Sequence, residues 1–121
     1  MQQSNFPNEV FTVSASPGAP GNEAPRVRIT KIPARYSAKS AATMNGRRIA
    51  LEKIGKFSIF AESASYTMVR GYARTSEEAK ALGTEMIAWL RNYAEKRLEA
   101  YKKMITNLQR EVVVVEEDYR D

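Results

Sequence analysis

The chain contains no cysteine and no histidine among its 121 residues. The first absence excludes disulfides, thiolate metal sites and thiol nucleophiles. The second removes the commonest general base and the commonest transition-metal ligand. No apolar run approaches membrane-spanning length, and Met1-Gln2-Gln3-Ser4-Asn5 has neither the basic nor the apolar region of a targeting signal. Carboxylates are scarce between residues 26 and 74, where only Glu52 and Glu62 occur, each with basic neighbours. Such positions read as salt-bridged surface rather than as an acid–base pair. Asn45-Gly46-Arg47-Arg48 lacks the spaced glycines and the Lys-Ser/Thr of a phosphate-binding loop. The acidic end of the chain mixes its signs and reads as solvated rather than as a cation site. These absences lead to the expectation of a cytoplasmic protein that is not an enzyme, holds no metal and no cofactor, and does not enter a membrane.

What is present is an unequal distribution of charge. The formal net charge is +5. Residues 1–25 have Glu9 and Glu23 and no Lys or Arg. Residues 26–74 hold Arg26, Arg28, Lys31, Arg35, Lys39, Arg47, Arg48, Lys53, Lys56, Arg70 and Arg74 against two carboxylates. Residues 75–121 have a slight acidic excess, ending in Glu116-Glu117-Asp118. A solvated surface mixes its signs, whereas a one-signed field attracts a polyanion.

Charge and pattern together divide the chain into four parts. Residues 1–25 hold four of the five prolines and read as a flexible arm, with Val10-Phe11-Thr12-Val13 as a possible added edge strand. Residues 26–74 read as a basic antiparallel sheet. Arg26–Ile32 alternates basic with apolar residues, which sends Val27 and Ile29 inward and Arg26, Arg28 and Thr30 outward until Pro33 ends the strand. Residues 34–46 read as a long loop containing Tyr36. Arg47–Ile54 is a strand with Ile49 and Leu51 inward, and Gly55-Lys56 is a hairpin turn. Lys56–Glu62 follows, with Phe57, Ile59 and Ala61 on one face and Ser58 and Phe60 on the other. Tyr66–Arg74 sends Thr67, Val69, Gly71 and Ala73 to one face and Tyr66, Met68, Arg70 and Tyr72 to the other. The first of those faces is small enough to admit a closely packed helix.

Residues 75–112 read as that helix. Thr75 and Glu78 have the spacing of a capping box, with Glu77 and Glu78 at the positive end of the dipole. At 1.5 Å per residue such a helix is about 55 Å long, more than a small sheet can cover. Ala94, Leu98, Tyr101, Ile105, Leu108 and Val112 follow one another at steps of four and three, a heptad seam expected to associate with another copy. Residues 113–121 read as a short strand begun by the Val112–Val115 run, followed by an acidic tail able to dock a second protein.

The expected fold is therefore α+β: an antiparallel sheet of three to five strands packed on one long C-terminal helix that extends into an oligomerisation seam. The order of four strands and a long helix is similar to that of Whirly-type and PUR-type single-strand binders. The passage Gly71-Tyr72-Ala73-Arg74-Thr75-Ser76-Glu77-Glu78-Ala79 resembles the strand-to-helix passage in arm-binding domains of phage integrases and in small antitoxins. No functional residue is carried over from any of these. The expected function is non-enzymatic binding of nucleic acid, single-stranded DNA or RNA before duplex, by an oligomer. Basic side chains would neutralise phosphates and exposed aromatics would stack on bases. The candidate contacts are Arg26, Arg28, Arg35, Lys39, Arg47, Arg48, Lys56, Phe60, Tyr66, Arg70, Tyr72 and Arg74. Two alternatives remain: a small inhibitor or assembly protein acting through protein contacts, and an oligomeric binder of a small phosphorylated ligand.

Overall fold

The computed structural model describes residues 5–18 and 24–119. It is an α+β fold, a six-stranded antiparallel curled sheet with one long C-terminal helix. The strands are β1 (Asn8–Ser16), β2 (Arg26–Tyr36), β3 (Ser40–Thr43), β4 (Arg48–Ala50), β5 (Phe57–Ser63) and β6 (Tyr66–Ala73), and the helix is α1 (Ser76–Leu108). Their order across the sheet is β4-β3-β2-β1-β6-β5. The chain divides into two compact units, Met1–Arg91 and Asn92–Asp121.

In the first unit, the segment read as a flexible arm carries one of the two middle strands. β1 pairs with β2 from Asn8↔Ala34 to Ser16↔Arg26 and with β6 from Phe11↔Ala73 to Ala15↔Val69. It holds that place because Phe11, Val13 and Ala15 alternate onto the helix side and are buried there. The proline-rich composition that suggested an arm is concentrated after Ser16 and does not interrupt this alternation.

The other departures have local causes. Pro33 does not end β2, which runs on to Tyr36. A strand residue points its N and O to the same side. The Pro33 carbonyl oxygen accepts from Met44 N (2.9 Å), so the missing N–H also faces the place where β3 has ended and leaves the ladder with β1 intact. The expected loop at 34–46 accordingly contains β3, paired to β2 through Ala34↔Thr43 and Tyr36↔Ala41. The strand expected over Arg47–Ile54 stops at Ala50, and Leu51–Lys53 form a 3-10 turn. Gly55, at φ +87, turns the chain into β5, which pairs with β6 and not with β4.

The link between β4 and β5 explains the curl. The outer strands of a flat six-stranded sheet are about 24 Å apart, at roughly 4.8 Å per step. Residues 51–56 span about 20 Å even with everything outside the 3-10 turn extended. The sheet closes the difference by bending away from the helix. Ile54 bridges Tyr72, and Gly55 N donates to the Tyr72 carbonyl oxygen at 2.7 Å, which ties the link to the end of β6.

Two small cores result, one on each face. On the helix side, Phe11, Val13, Ala15, Val69 and Ala73 meet Ala79, Leu82, Met86 and Leu90, with Phe57, Ile87 and Trp89 at the margin. Phe57 and Trp89 pack edge to face with ring centroids 6.0 Å apart. Small residues let the helix approach: a Cβ on Gly83 would lie 2.6 Å from Val27 Cγ1. Val27 and Ile29 stand opposite Ala15 and Val13, on the helix side as expected, but keep 38% and 36% of their surface exposed. On the concave side, Val10, Ala34 and Ile49 are buried, with Ile32, Tyr36, Ile54 and Tyr72 packed against them. The helix begins with the Thr75 hydroxyl accepting from Glu78 N at 3.1 Å. The Glu78 carboxylate turns back to Arg74 N (3.3 Å), one residue earlier than a capping box requires.

In the second unit the helix ends at Leu108, short of Val112, and the strand expected from the valine run does not form. Gln109 N donates to Ile105 O and to Thr106 O, a tightened final turn. Four β-branched residues in succession lower helix propensity, and among the described residues they form no ladder either. Val112 therefore lies beyond the helix that was to carry it. Leu98, Tyr101, Ile105 and Leu108 are 54%, 42%, 55% and 76% exposed.

Candidate functional site

The concave face changes character along its strands. At one end stands the apolar cluster of Val10, Ala34, Ile49 and Tyr72. Moving along β1, the same face presents Thr12, Ser14 and Ser16, and their β2 partners are Thr30, Arg28 and Arg26. On the other side, Arg70 of β6 pairs with Ser14, with Met68 and Tyr66 beyond it on the same face. These side chains line a cavity of about 350 Å³ whose walls contain three arginines and, among the described residues, no carboxylate. That volume lies at the lower end of the range for small-molecule pockets.

β5 contributes its part through a bulge. The β5–β6 register shifts between Ile59 and Ala61, leaving Phe60 as the additional residue. A bulge breaks the period-two alternation and re-aims the side chain at it. Ala61, expected beside Phe57 and Ile59, instead stands opposite Met68 and joins the concave face. Phe60 is 57% exposed, and the Arg70 guanidinium lies over its ring at 4.9 Å from the centroid. Phe60 and Arg70 also line a second cavity of about 370 Å³ with Arg47, Lys53, Lys56 and Tyr72. The stacked pair is thus a shared wall between two cationic cavities.

Arg26, Arg28, Phe60, Tyr66 and Arg70 come together in the first cavity, and Arg47, Lys56 and Tyr72 join Phe60 and Arg70 in the second. The other four candidate contacts lie elsewhere. Arg35 is on the helix side of β2 by register, its guanidinium 5.9 Å from the Phe6 ring centroid. Arg48 lies on that side too and donates to the Ser40 hydroxyl at 3.1 Å. Lys39 is in the β2–β3 turn, where its carbonyl oxygen accepts from Leu51 N. Arg74 covers the Tyr36 ring at 4.1 Å, beside the apolar end of the concave face. Burial pushes the Tyr36 phenol above its usual range, and the Arg74 guanidinium partly offsets this. That phenol donates to the Glu9 carbonyl oxygen at 2.8 Å, so Tyr36 is a strand residue with a structural bond rather than a loop aromatic. Sequence reasoning missed Thr12, Ser14, Ser16, Thr30, Met68 and Lys53. The signal for the first three is the Thr/Ser alternation at positions 12, 14 and 16, legible once that segment is taken as a strand.

Tyr72 and Phe60 have different surroundings, and their truncations should separate. Tyr72 lies on the face opposite the helix, but half-buried against the concave apolar cluster. Tyr72→Ala is expected to lower unfolding stability by about 2 kcal/mol, below the range for fully buried aromatics. Phe60→Ala should change it by less than about 1 kcal/mol, since the ring loses only an exposed contact with Arg70. Denaturant unfolding of the two variants checks this, and equal effects would contradict the placement.

No helix of the described residues is long and apolar enough to cross a membrane. The strand count of six sets the sheet apart from the four-strand order that carried the likeness to Whirly-type and PUR-type proteins. The chain matches no protein family, no curated protein and no solved structure, so a reading of its function rests on the geometry above.

Proposed function

We propose that this chain is a non-enzymatic, self-associating cytoplasmic protein that binds single-stranded nucleic acid on the concave face of its sheet. The observation that supports this most is the composition of the first cavity. Arg26, Arg28 and Arg70 stand around a floor of hydroxyls, with Phe60 and Tyr66 at the same cavity and no carboxylate among the described residues of its lining. The arginines neutralise phosphates, and the aromatic rings offer faces to unpaired bases, whose stacking contributes roughly 1–3 kcal/mol each. Duplex DNA keeps its base faces stacked inside, so a surface of this kind favours an open strand. Self-association rests on the exposed apolar row Leu98, Tyr101, Ile105 and Leu108. Binding of labelled single-stranded and duplex oligonucleotides across a salt series tests the reading.

A second reading is favoured by the size of the cavity. About 350 Å³ lined by three arginines and four Ser/Thr residues suits one small phosphorylated ligand. Competition decides between them: a mononucleotide that displaces an oligonucleotide at equal concentration supports the small ligand, and one that needs large excess supports the strand.

A further inference from the structure

The second cavity differs from the first in having an apolar wall. Phe57, Ile59 and Phe60 belong to β5, an edge strand that pairs only with β6 among the described strands. Arg47, Lys53 and Lys56 give the same cavity a cationic end, and no carboxylate among the described residues lines it. Within the same chain is a segment of complementary composition. Val112, Val113, Val114 and Val115 are 81%, 83%, 77% and 71% exposed, and Glu116-Glu117-Asp118 follow directly. Four adjacent β-branched residues without a ladder are strand-forming material, and an edge strand offers unpaired backbone groups.

We infer that residues 112–118 of one copy dock along β5 of a second copy. The valines lie against Phe57, Ile59 and Phe60, and the carboxylates reach Lys53, Lys56 and Arg47. The occupant is a second copy because the seam of Leu98–Leu108, proposed to join two copies, lies just before the valines in the sequence. The lengths agree, since β5 has seven residues and the segment is of the same length. The charges also set the direction. The cations precede β5 in the sequence and the carboxylates follow the valines, so the segment runs antiparallel to β5. Recognition of this kind takes affinity from added strand pairing and specificity from side-chain pockets. Phe60 and Arg70 are common to both cavities, so a docked tail also stands beside the proposed nucleic-acid contacts.

This inference rests on the self-association part of the proposed function and not on nucleic-acid binding. The test places a photo-cross-linking residue at Val114 in the full chain and mixes isotope-labelled with unlabelled copies. The expected product joins a labelled and an unlabelled copy through residues 53–60. Lys53→Glu with Lys56→Glu should reduce its yield several-fold, and adding Glu116→Lys with Glu117→Lys should restore it. All four positions are exposed, so these variants fold. Cross-links confined to one copy, cross-links elsewhere on the second copy, or a yield indifferent to charge reversal would each overturn the inference. Sedimentation of the same sample separates the two failures. A dimer without the cross-link sinks the tail docking alone, and a monomer sinks the self-association beneath it as well.

Discussion

Arg26→Glu with Arg28→Glu is expected to weaken binding of a single-stranded oligonucleotide by about 25-fold or more at 0.1 M salt. The estimate follows from counterion release. At a slope of about 0.7 per phosphate neutralised on a single strand, each contact is worth roughly a factor of five at that salt, and two new carboxylates add repulsion. Both arginines stand on β2 at the open end of the concave face, opposite Ser16 and Ser14, so the change touches neither apolar core. The salt slope itself should fall by about 1.4, and the loss should be the same for all base sequences, because phosphate contacts hold no sequence information. Fluorescence anisotropy at several salt concentrations reads both quantities. Arg35→Glu with Arg48→Glu is the matched control, with the same charge change on the opposite face of the sheet. Equal loss in the two pairs would mean that net charge alone drives binding.

Leu98→Glu with Leu108→Glu is expected to convert a self-associated protein to monomer at micromolar concentration. Two copies bring four of these leucines to a shared seam, and burying each contributes about 1.5–3 kcal/mol. Their loss corresponds to a weakening of about 10⁴-fold or more, before the cost of burying carboxylates is added. Neither position belongs to the unit formed by residues 1–91, so that unit should still unfold cooperatively in the variant. Sedimentation velocity checks the first outcome and denaturant unfolding the second. An unmodified protein that sediments as a monomer would contradict the seam.

Much of the fold was legible in the pattern of the chain, because alternation and heptad spacing are local. The faces of β6 are an example: Val69, Gly71 and Ala73 are small and face the helix, while Arg70 is too polar to face it. β1 was harder to read, since a window that includes Pro17, Pro20 and Pro25 outweighs the alternation of Phe11, Val13 and Ala15. What stayed hidden depends on non-local contact. Nothing near Gly55 says that β5 will pair with β6 at the far edge from β4, yet that placement bends the sheet and makes its outer face concave. The bulge at Phe60 appears only in the register against β6. Tyr72 shows the same limit, because its face followed from period two but its burial depends on Val10, Ala34 and Ile49 from other strands. The candidate site was legible as a charge excess in residues 26–74, and the curl then selects which of those cations stand together.

The measurement that bears most directly on the proposed function is the affinity for one oligonucleotide, as single strand and as duplex, across a salt series with intact protein and with Phe60→Ala. The account predicts tighter binding of the single strand and a linear fall of log K with log salt, at about 0.7 per phosphate contacted. It also predicts a loss of roughly 1–3 kcal/mol for Phe60→Ala on the single strand, with little change on the duplex. Equal affinity for both forms with no effect of Phe60→Ala, or no binding of either form at low salt, would contradict it.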